Sequence, residues 1–227
     1  MKTWRTPWFI LSMVALSMVA IQILSNSVAI LCLVGYLLVV VLSDRREIKE
    51  LRSRLTVDVM TGLRNRAGLE IGFGRLYSLL SRQETGGHIS VLYCDLDCFK
   101  TLNDTCGHRA GDEAIEAMAE ILQTVFRRRD TILARSSQAG DEFNVILPNA
   151  TKEEIEFLIR TVSEQMAEDE RFFIRDSLRV TVSVGISTCQ VARGAGPRQA
   201  VSEILEAQLR LADGEMQRCK RENKKAR

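Results

Sequence analysis

Residues 139–143 read Ala-Gly-Asp-Glu-Phe, which sets two adjacent carboxylates in a glycine-containing turn between two Ile- and Leu-rich segments. This pattern predicts a β-hairpin with strands over residues 131–135 and 142–147. Asp141 and Glu142 then lie at the hairpin tip. Carboxylate oxygens in such a position are suited to hold a divalent cation.

A second pair of acidic residues lies upstream of this hairpin. The run Ile-Ser-Val-Leu-Tyr over residues 89–93 predicts a buried strand, and Asp95 and Asp97 follow at its C-terminal end. Isolated aspartates after a strand are usually turn or capping residues. Here, however, they would meet the hairpin carboxylates, and hard oxygen ligands from two loops suit Mg²⁺, which keeps several waters and bridges substrate phosphates.

A longer motif surrounds the upstream pair. Residues 95–112 read Asp-Leu-Asp-Cys-Phe-Lys-Thr-Leu-Asn-Asp-Thr-Cys-Gly-His-Arg-Ala-Gly-Asp. This stretch resembles the D-x-D-x-F-K-x-I-N-D-x-x-G-H-x-x-G-D signature of the GGDEF family of diguanylate cyclases. Residues 58–66 resemble the family's opening D-x-L-T-G-L-x-N-R, residues 180–186 resemble its later V-T-V-S-x-G-I strand, and Ala212 and Asp213 begin its last helix motif. The resemblance extends from about residue 55 to residue 225.

The remaining elements are predicted from apolar spacing. A helix that begins near Asn65 carries Leu69, Ile71, Phe73, Leu76, Leu79 and Leu80, and further helices are predicted over residues 111–127, 151–166 and 199–221, with a strand over 178–187. The order βαββαβ plus additions predicts an antiparallel sheet covered on one face by helices. The resemblance implies the same α+β class, with a palm-like nucleotidyl-cyclase fold.

The resemblance also implies a metal site. In the family, the first aspartate of the long motif and the carboxylates of the hairpin tip bind two metals. Carried over to this chain, the catalytic residues are Asp95, Asp141 and Glu142, and the metal ligands are these three with the Leu96 carbonyl. The implied cofactor is Mg²⁺ or Mn²⁺, two ions per active site.

The substrate implied by the resemblance is GTP. The family reads guanine with an Asn and an Asp of the long motif, and it contacts phosphates through a Phe-Lys loop and two basic residues of the last helix. The implied substrate-binding residues are Asn103, Asp112, Phe99, Lys100, Lys220 and Lys224. Asp112 has the alternative interpretation of a helix N-cap. Lys224 replaces the usual arginine, which keeps the charge but loses the bidentate fork.

Two other departures from the family pattern lie in the hairpin turn and in the segment before the hairpin. Ala139 stands where the family has its first glycine, so the signature reads AGDEF. Many relatives carry an inhibitory R-x-x-D product site, whose register is ambiguous here. Alignment through Ala134 and Arg135 places Arg128 and Thr131 at its two ends, which lacks the aspartate, whereas Arg127 and Asp130 have the right types one residue early. We therefore predict weak or absent feedback inhibition. The basic triplet at 127–129 also fits a solvated helix end.

The N-terminal region has a different composition. Residues 8–42 contain no charged residue, although charged residues make up 26% of the chain. Ser-Asn-Ser at 25–27 interrupts this run, so we predict a membrane anchor over 1–43 with two short transmembrane helices, 8–24 and 28–42; a single tilted helix is the alternative. Basic residues on both sides place both ends in the cytoplasm.

A short helical stalk is predicted over residues 44–57, ahead of a GGDEF domain over 58–227. Val41, Ile48 and Leu55 repeat every seven residues, which fits either a short coiled coil with a second copy or an ordinary amphipathic connector. The net charge of +2 is too small to indicate nucleic-acid binding. The six cysteines include no C-x-x-C pair and are interpreted as reduced thiols.

Together these features predict a diguanylate cyclase at the bacterial inner membrane, with its catalytic domain in the cytoplasm. It would condense two GTP into cyclic di-GMP and two pyrophosphates at a homodimer interface. The alternative is a catalytically weak or inactive GGDEF module that binds GTP or protein partners at the membrane. A cyclase acting on ATP is disfavoured, because adenine lacks the donor pair that Asn103 and Asp112 would read.

Overall fold

The structure is a computed structural model that describes residues 12–19, 22, 55–135, 140–175, 178–194 and 198–225; the side chains of 198–200 and 222–225 are not included. The chain divides into two compact units, Met1–Arg52 and Ser53–Arg227. In the first unit, residues 12–19 are helical. Within the described ranges, no helix combines the length and the apolar character needed to cross a membrane. Most of the predicted spans at 8–24 and 28–42, and of the stalk at 44–57, lies outside the described residues.

The second unit alternates helices and strands. Its helices are α1 Arg66–Leu80, α2 Phe99–Cys106, α3 His108–Val125, α4 Lys152–Glu168 and α5 Arg198–Lys225, with a 3₁₀ turn at Glu170–Phe172. Its strands are β1 Gly87–Asp97, β2 Ile132–Arg135, β3 Glu142–Pro148, β4 Phe173–Arg175, β5 Leu178–Arg179 and β6 Thr181–Val191. The α+β class and the predicted βαββαβ order are confirmed.

Four strands form one antiparallel sheet in the order β2-β3-β1-β6. In this register, Asp95 of β1 lies opposite Glu142 of β3 on one side and opposite Ser183 of β6 on the other. Strand β1 is longer than predicted and ends at Asp97, so Asp95 and Asp97 belong to the strand and do not follow it. Because they are two residues apart in a strand, both side chains point to the same face.

Helices cover both faces of the sheet, so the expectation of one covered face is wrong. Ile89 and Val91 of β1 pack in a buried cluster with residues of α1 and α5. Leu92, Cys94 and Leu96 pack in a second cluster with residues of α3 and α4. A central strand that is apolar on both faces is typical of a sheet between two helical layers, and the near-continuous apolar run of β1 was the signal for it.

The helix predictions are partly confirmed. In α3, the predicted apolar stripe is buried, and it includes Ile115, Met118 and Leu122. Helix α3 begins at His108 and contains Asp112, so the interpretation of Asp112 as an N-cap is wrong. In α1, four of the six apolar positions are buried, whereas Ile71 and Leu79 are 45% and 59% exposed. Their positions lie off the stripe that faces the sheet.

Strand β6 is an outer strand of the sheet. Its Ile186 amide does not face β1 but donates a hydrogen bond of 2.8 Å to Oε2 of Glu215, which reaches across from α5. A side chain of the covering helix therefore occupies one donor on this sheet edge.

Candidate functional site

The candidate site lies where β1 ends, β3 begins and α5 crosses them. Asp95 and Glu142 face each other across the β1–β3 pair. Tyr93, two residues before Asp95, is half-buried, and its pKa is raised first by burial and then by a hydrogen bond to the Glu142 carboxylate. The phenol therefore remains protonated and helps to orient Glu142.

Lys220 of α5 supplies the positive charge of this corner. Its Nζ lies 2.7 Å from Oδ1 of Asp95 and 3.1 Å from Oδ1 of Asp97. The three side chains are 24%, 19% and 28% exposed, so the pairs are only partly screened by water. Burial alone would lower the pKa of Lys220, but the hydrogen bonds to Asp95 and Asp97 outweigh it and raise the pKa.

Gly185 of β6 allows α5 to approach the sheet this closely. A Cβ atom at this position would overlap the Ala212 carbonyl oxygen and lie 2.5 Å from the Met216 amide nitrogen and 2.8 Å from Met216 Cβ. Any side chain would therefore push α5 away from β6. Lys220 follows Met216 by one helical turn, so the same contact sets its distance from the two aspartates.

Asp141 is the third acidic residue of the site. Burial is the largest cause of its raised pKa, and the charges of Asp95 and Glu142 add to it. A hydrogen bond from its own backbone and the charge of Lys220 act in the opposite direction. The negative charges of Asp95 and Glu142 thus add to the effect of burial on this pKa, and a bound cation would oppose them.

The donor set fits a hard divalent cation. In the part of the chain that the structure describes, no three His, Cys, Asp or Glu side chains are grouped closely enough to hold a metal by themselves. Mg²⁺ does not require such a cage, because it keeps several waters and takes one or two carboxylates together with substrate phosphates. Asp95, Asp141 and Glu142, together with the Leu96 carbonyl, stay the predicted residues that would hold it.

Four of the predicted substrate residues, Phe99, Lys100, Asn103 and Asp112, lie on the consecutive helices α2 and α3. Phe99 and Lys100 form the first turn of α2, whose leading amides have no acceptor within the helix. Cys98, just before them, adopts the left-handed conformation with φ 64° and offers no side-chain cap. An amide group turned outward in this way is suited to an anion such as phosphate.

Gly111 brings the two predicted guanine-reading residues to one place. The Asn103 side chain occupies the space where a Cβ of Gly111 would lie, with Cγ at 2.9 Å. Asp112, the next residue, is exposed on the same junction. The Asn103 side chain therefore packs against Gly111, and the exposed Asp112 is the next residue of the chain.

One functional contact was missed in the sequence. Arg135, at the end of β2, is almost fully buried and donates from Nε and Nη2 to the Gly140 carbonyl at 3.1 Å each. Its Nη1 lies 3.4 Å from Oδ1 of Asp58, which also accepts from the Thr61 hydroxyl at 2.6 Å. The 58–66 motif is thereby tied to the residue before Asp141. The sequence signal for this contact was the aspartate of the 58–66 motif together with an arginine shortly before the 139–143 turn.

The candidate inhibitory residues form a different kind of cluster. Arg128 makes a bidentate pair with Asp130 at 3.2 Å for both contacts and a further pair with Glu154 at 3.1 Å. Arg127 is exposed, and its Nε donates to the Thr124 carbonyl at 2.7 Å. The structure thus brings Arg128 and Asp130 together but does not join Arg127 with Asp130.

Two predicted features lie beyond the described residues. Ala139 and the preceding residues 136–138 fall in a gap of the described chain, so the conformation of the AGDEF turn stays a prediction. Lys224 lies within α5, and its side chain is not described.

Comparisons with known proteins identify the family of this chain. A family model described as diguanylate cyclase, GGDEF domain, matches residues 55–226. Diguanylate cyclase A of Treponema denticola is 30% identical over 140 residues, which is 61% of this chain and 37% of that protein. Cyclic di-GMP phosphodiesterase NbdA of Pseudomonas aeruginosa is 34% identical over 137 residues, 60% of this chain and 17% of that protein. The matches thus span little more than a third of these relatives at most.

A solved structure shares the fold. The coiled coil and GGDEF domain of DgcB from Caulobacter crescentus, in complex with c-di-GMP, superposes with a TM-score of 0.62 and 24% identity, over 80% of this chain and 88% of that one. At this identity the similarity establishes the fold alone. The family match covers most of the chain and includes every residue of the described corner. The chain therefore belongs to the GGDEF-domain family of diguanylate cyclases.

Proposed function

We propose that this protein is a diguanylate cyclase, which condenses two GTP into cyclic di-GMP with release of two pyrophosphates. The observation that carries this proposal is the convergence of Asp95, Glu142 and Lys220, from three separate elements, on one corner of the sheet. Members of the family generally use divalent metal ions. Bound there, Mg²⁺ or Mn²⁺, two per site, would neutralise phosphate charge and polarise the attacked phosphorus.

The chain's own residues bind and orient the substrate. Lys220 would draw the triphosphate to the corner, and the first amides of α2, at Phe99 and Lys100, would hold its oxygens. Asn103 and Asp112 would hydrogen-bond the guanine edge. Phosphoryl transfer needs little covalent assistance from the protein, so this positioning and the electrostatics of the corner supply most of the rate.

The reaction needs two copies of the domain. One domain has one such corner, and the 3′-hydroxyl of each nucleotide must attack the α-phosphorus of the other, with pyrophosphate as the leaving group. We therefore propose a homodimer in which two corners face each other. The 44–57 stalk would set that geometry, and the 1–43 anchor would hold both chains at the bacterial inner membrane with the domains in the cytoplasm.

The membrane proposal has its own test. Reporter fusions at residue 25 and after residue 227 would map the two positions to opposite sides of the membrane if two spans are present. A reporter after residue 227 that is active outside the cytoplasm would contradict the topology.

The activity is tested with the full chain in detergent, supplied with GTP and Mg²⁺. We expect cyclic di-GMP and pyrophosphate as products, and a rate lowered by about 10²-fold or more in Glu142→Ala. Glu156→Ala, an exposed glutamate of α4, is the matched control and should keep the wild-type rate. ATP in place of GTP should give no cyclic product. Absence of cyclic di-GMP from the wild-type protein would overturn the proposal.

A second candidate is a GGDEF module that binds GTP without turning it over. The departures at Ala139 and Lys224 favour it, because lysine cannot reproduce the bidentate contact of the usual arginine. Wild-type protein that binds GTP but releases no pyrophosphate would identify this alternative.

A further inference from the structure

Asp97 lies beside the proposed metal ligands but is held differently from them. Its Oδ2 accepts hydrogen bonds from Ser183 at 2.7 Å and from Thr181 at 3.1 Å, both on β6. Its Oδ1 lies 3.1 Å from Nζ of Lys220. One carboxylate oxygen is thus fixed by two hydroxyl groups, and the other faces the ammonium.

This arrangement differs from that of Asp95. Asp95 lies opposite Glu142 of β3, and a divalent cation bound there would draw on both carboxylates. Asp97 pairs across the sheet with Thr181, on the opposite side of β1 from the hairpin tip. A cation bound at Asp95 and Glu142 would compete with Lys220 for Asp95, which is 2.7 Å from Nζ, whereas the contact of Lys220 with Asp97 would remain. The hydrogen bonds from the two hydroxyl groups hold Asp97 in place.

We infer that Asp97, braced by Thr181 and Ser183, is a positioning residue that holds Lys220 at the point where it meets the phosphates of the substrate. This inference rests on the proposed function, because it assumes a nucleoside triphosphate at the corner. In this role Asp97 contacts neither the metal nor the substrate. A long lysine side chain loses much rotamer freedom when it is fixed, so an anchor that fixes it beforehand strengthens the contact it makes.

The test is a double-mutant cycle on binding of a non-hydrolysable GTP analogue, guanosine 5′-(β,γ-imido)triphosphate, with Mg²⁺, measured by calorimetry on the full chain in detergent. We expect Asp97→Asn, which keeps the shape and can still accept from the hydroxyls, to weaken binding roughly five- to tenfold. In a Lys220→Met background the same change should have no further effect, because its partner is already gone. Guanosine alone should bind all variants equally.

Two controls separate a positioning role from a structural one. Asp169→Asn removes another ion-paired aspartate, which pairs with Arg171 and not with Lys220, and it should leave binding unchanged. Should Asp97→Asn unfold, the double variant Thr181→Val, Ser183→Ala removes only the brace and should weaken binding in the same direction.

The outcomes distinguish the inference from the proposed function. Equal losses from Asp97→Asn with and without Lys220 would overturn the inference, and so would wild-type affinity in Asp97→Asn, while cyclic di-GMP synthesis by the wild-type protein would still support the function. A wild-type protein that binds the analogue and shows the expected cycle but makes no product would overturn the function alone. Failure of the wild type to bind the analogue would overturn both.

Discussion

Two arginines, one at the C-terminal end of strand β2 and one shortly before its start, make contacts of opposite kinds. Arg135, at the C-terminal end, has a side chain that is 2% exposed and joins Asp58 to the Gly140 carbonyl. Arg128, four residues before β2, is 38% exposed and pairs with Asp130 and Glu154. The first arginine connects two distant motifs at the candidate site, whereas the second belongs to a surface network. Burial, more than the number of charge partners, distinguishes the two.

The largest expected difference is in stability. Arg135→Met would leave Asp58 as a buried charge without its partner and should lower the free energy of unfolding by about 3–5 kcal/mol. Arg128→Met, the matched substitution at the other end, should lower it by less than about 1 kcal/mol. Denaturant titrations of both variants measure this. Equal losses would show that burial does not decide the role of these residues.

The two ends should also respond to pH with opposite signs. The pKa of Asp141, beside the Arg135 end, is raised chiefly by burial, so the metal-free protein should lose stability as pH rises through the Asp141 titration. Asp141→Asn should remove this loss, and Mg²⁺ should reduce it. Urea midpoints recorded across acidic pH, with and without Mg²⁺, measure the effect.

At the Arg128 end, the exposed Glu153 next to Glu154 has a lowered pKa, first because of its own backbone amide and then because of the Thr151 hydroxyl. Its contribution to stability should be present at neutral pH and lost as pH falls through its titration. Glu153→Gln should flatten that part of the curve. A slope of the same sign as for Asp141 would contradict this assignment.

Salt concentration should affect the stability losses of the two arginine variants differently, by a smaller amount. At about 1 M salt the Debye length falls to about 3 Å, so the stability loss in Arg128→Met should shrink relative to the loss at about 0.1 M. The loss in Arg135→Met should change little, because water and ions do not reach its side chain. A strong salt dependence of Arg135→Met would indicate that this pair opens to solvent.

The smallest expected effect is inhibition of turnover by the product, cyclic di-GMP. Arg128 is already neutralised by Asp130 and Glu154, and Arg127 is not joined with Asp130. We therefore expect that added cyclic di-GMP does not strongly suppress turnover. A rate assay with increasing product checks this, and strong suppression that disappears in Arg127→Ala would contradict it.

The fold was largely predictable, because the four strands of the main sheet and most helices have a clear apolar pattern, whereas the short strand β4 was missed. Helix α2 was missed, since eight residues that include a single buried apolar side chain, Leu102, give no periodic signal. The second helical layer was missed because the order of elements does not show on which face each helix packs. The exposed Ile71 and Leu79 were indistinguishable in the sequence from the buried residues beside them.

The site residues could be predicted from the sequence only where they belong to a family motif. The opposition of Asp95 and Glu142 follows from strand pairing and was expected. The contacts of Lys220 with Asp95 and Asp97 join residues 125 and 123 positions apart, and they depend on how closely α5 approaches Gly185. Likewise, the Arg135–Asp58 pair depends on a docked turn, which local sequence does not specify.

The hydrogen bond from Ile186 to Glu215 has a consequence for the protein in a crowded cell. An outer strand of eleven residues is a template on which a neighbouring molecule could continue the sheet and start an aggregate. Any strand that joined there would have to displace Glu215 from the amide and enclose its negative charge. This one carboxylate therefore opposes the addition of a further strand along this part of β6.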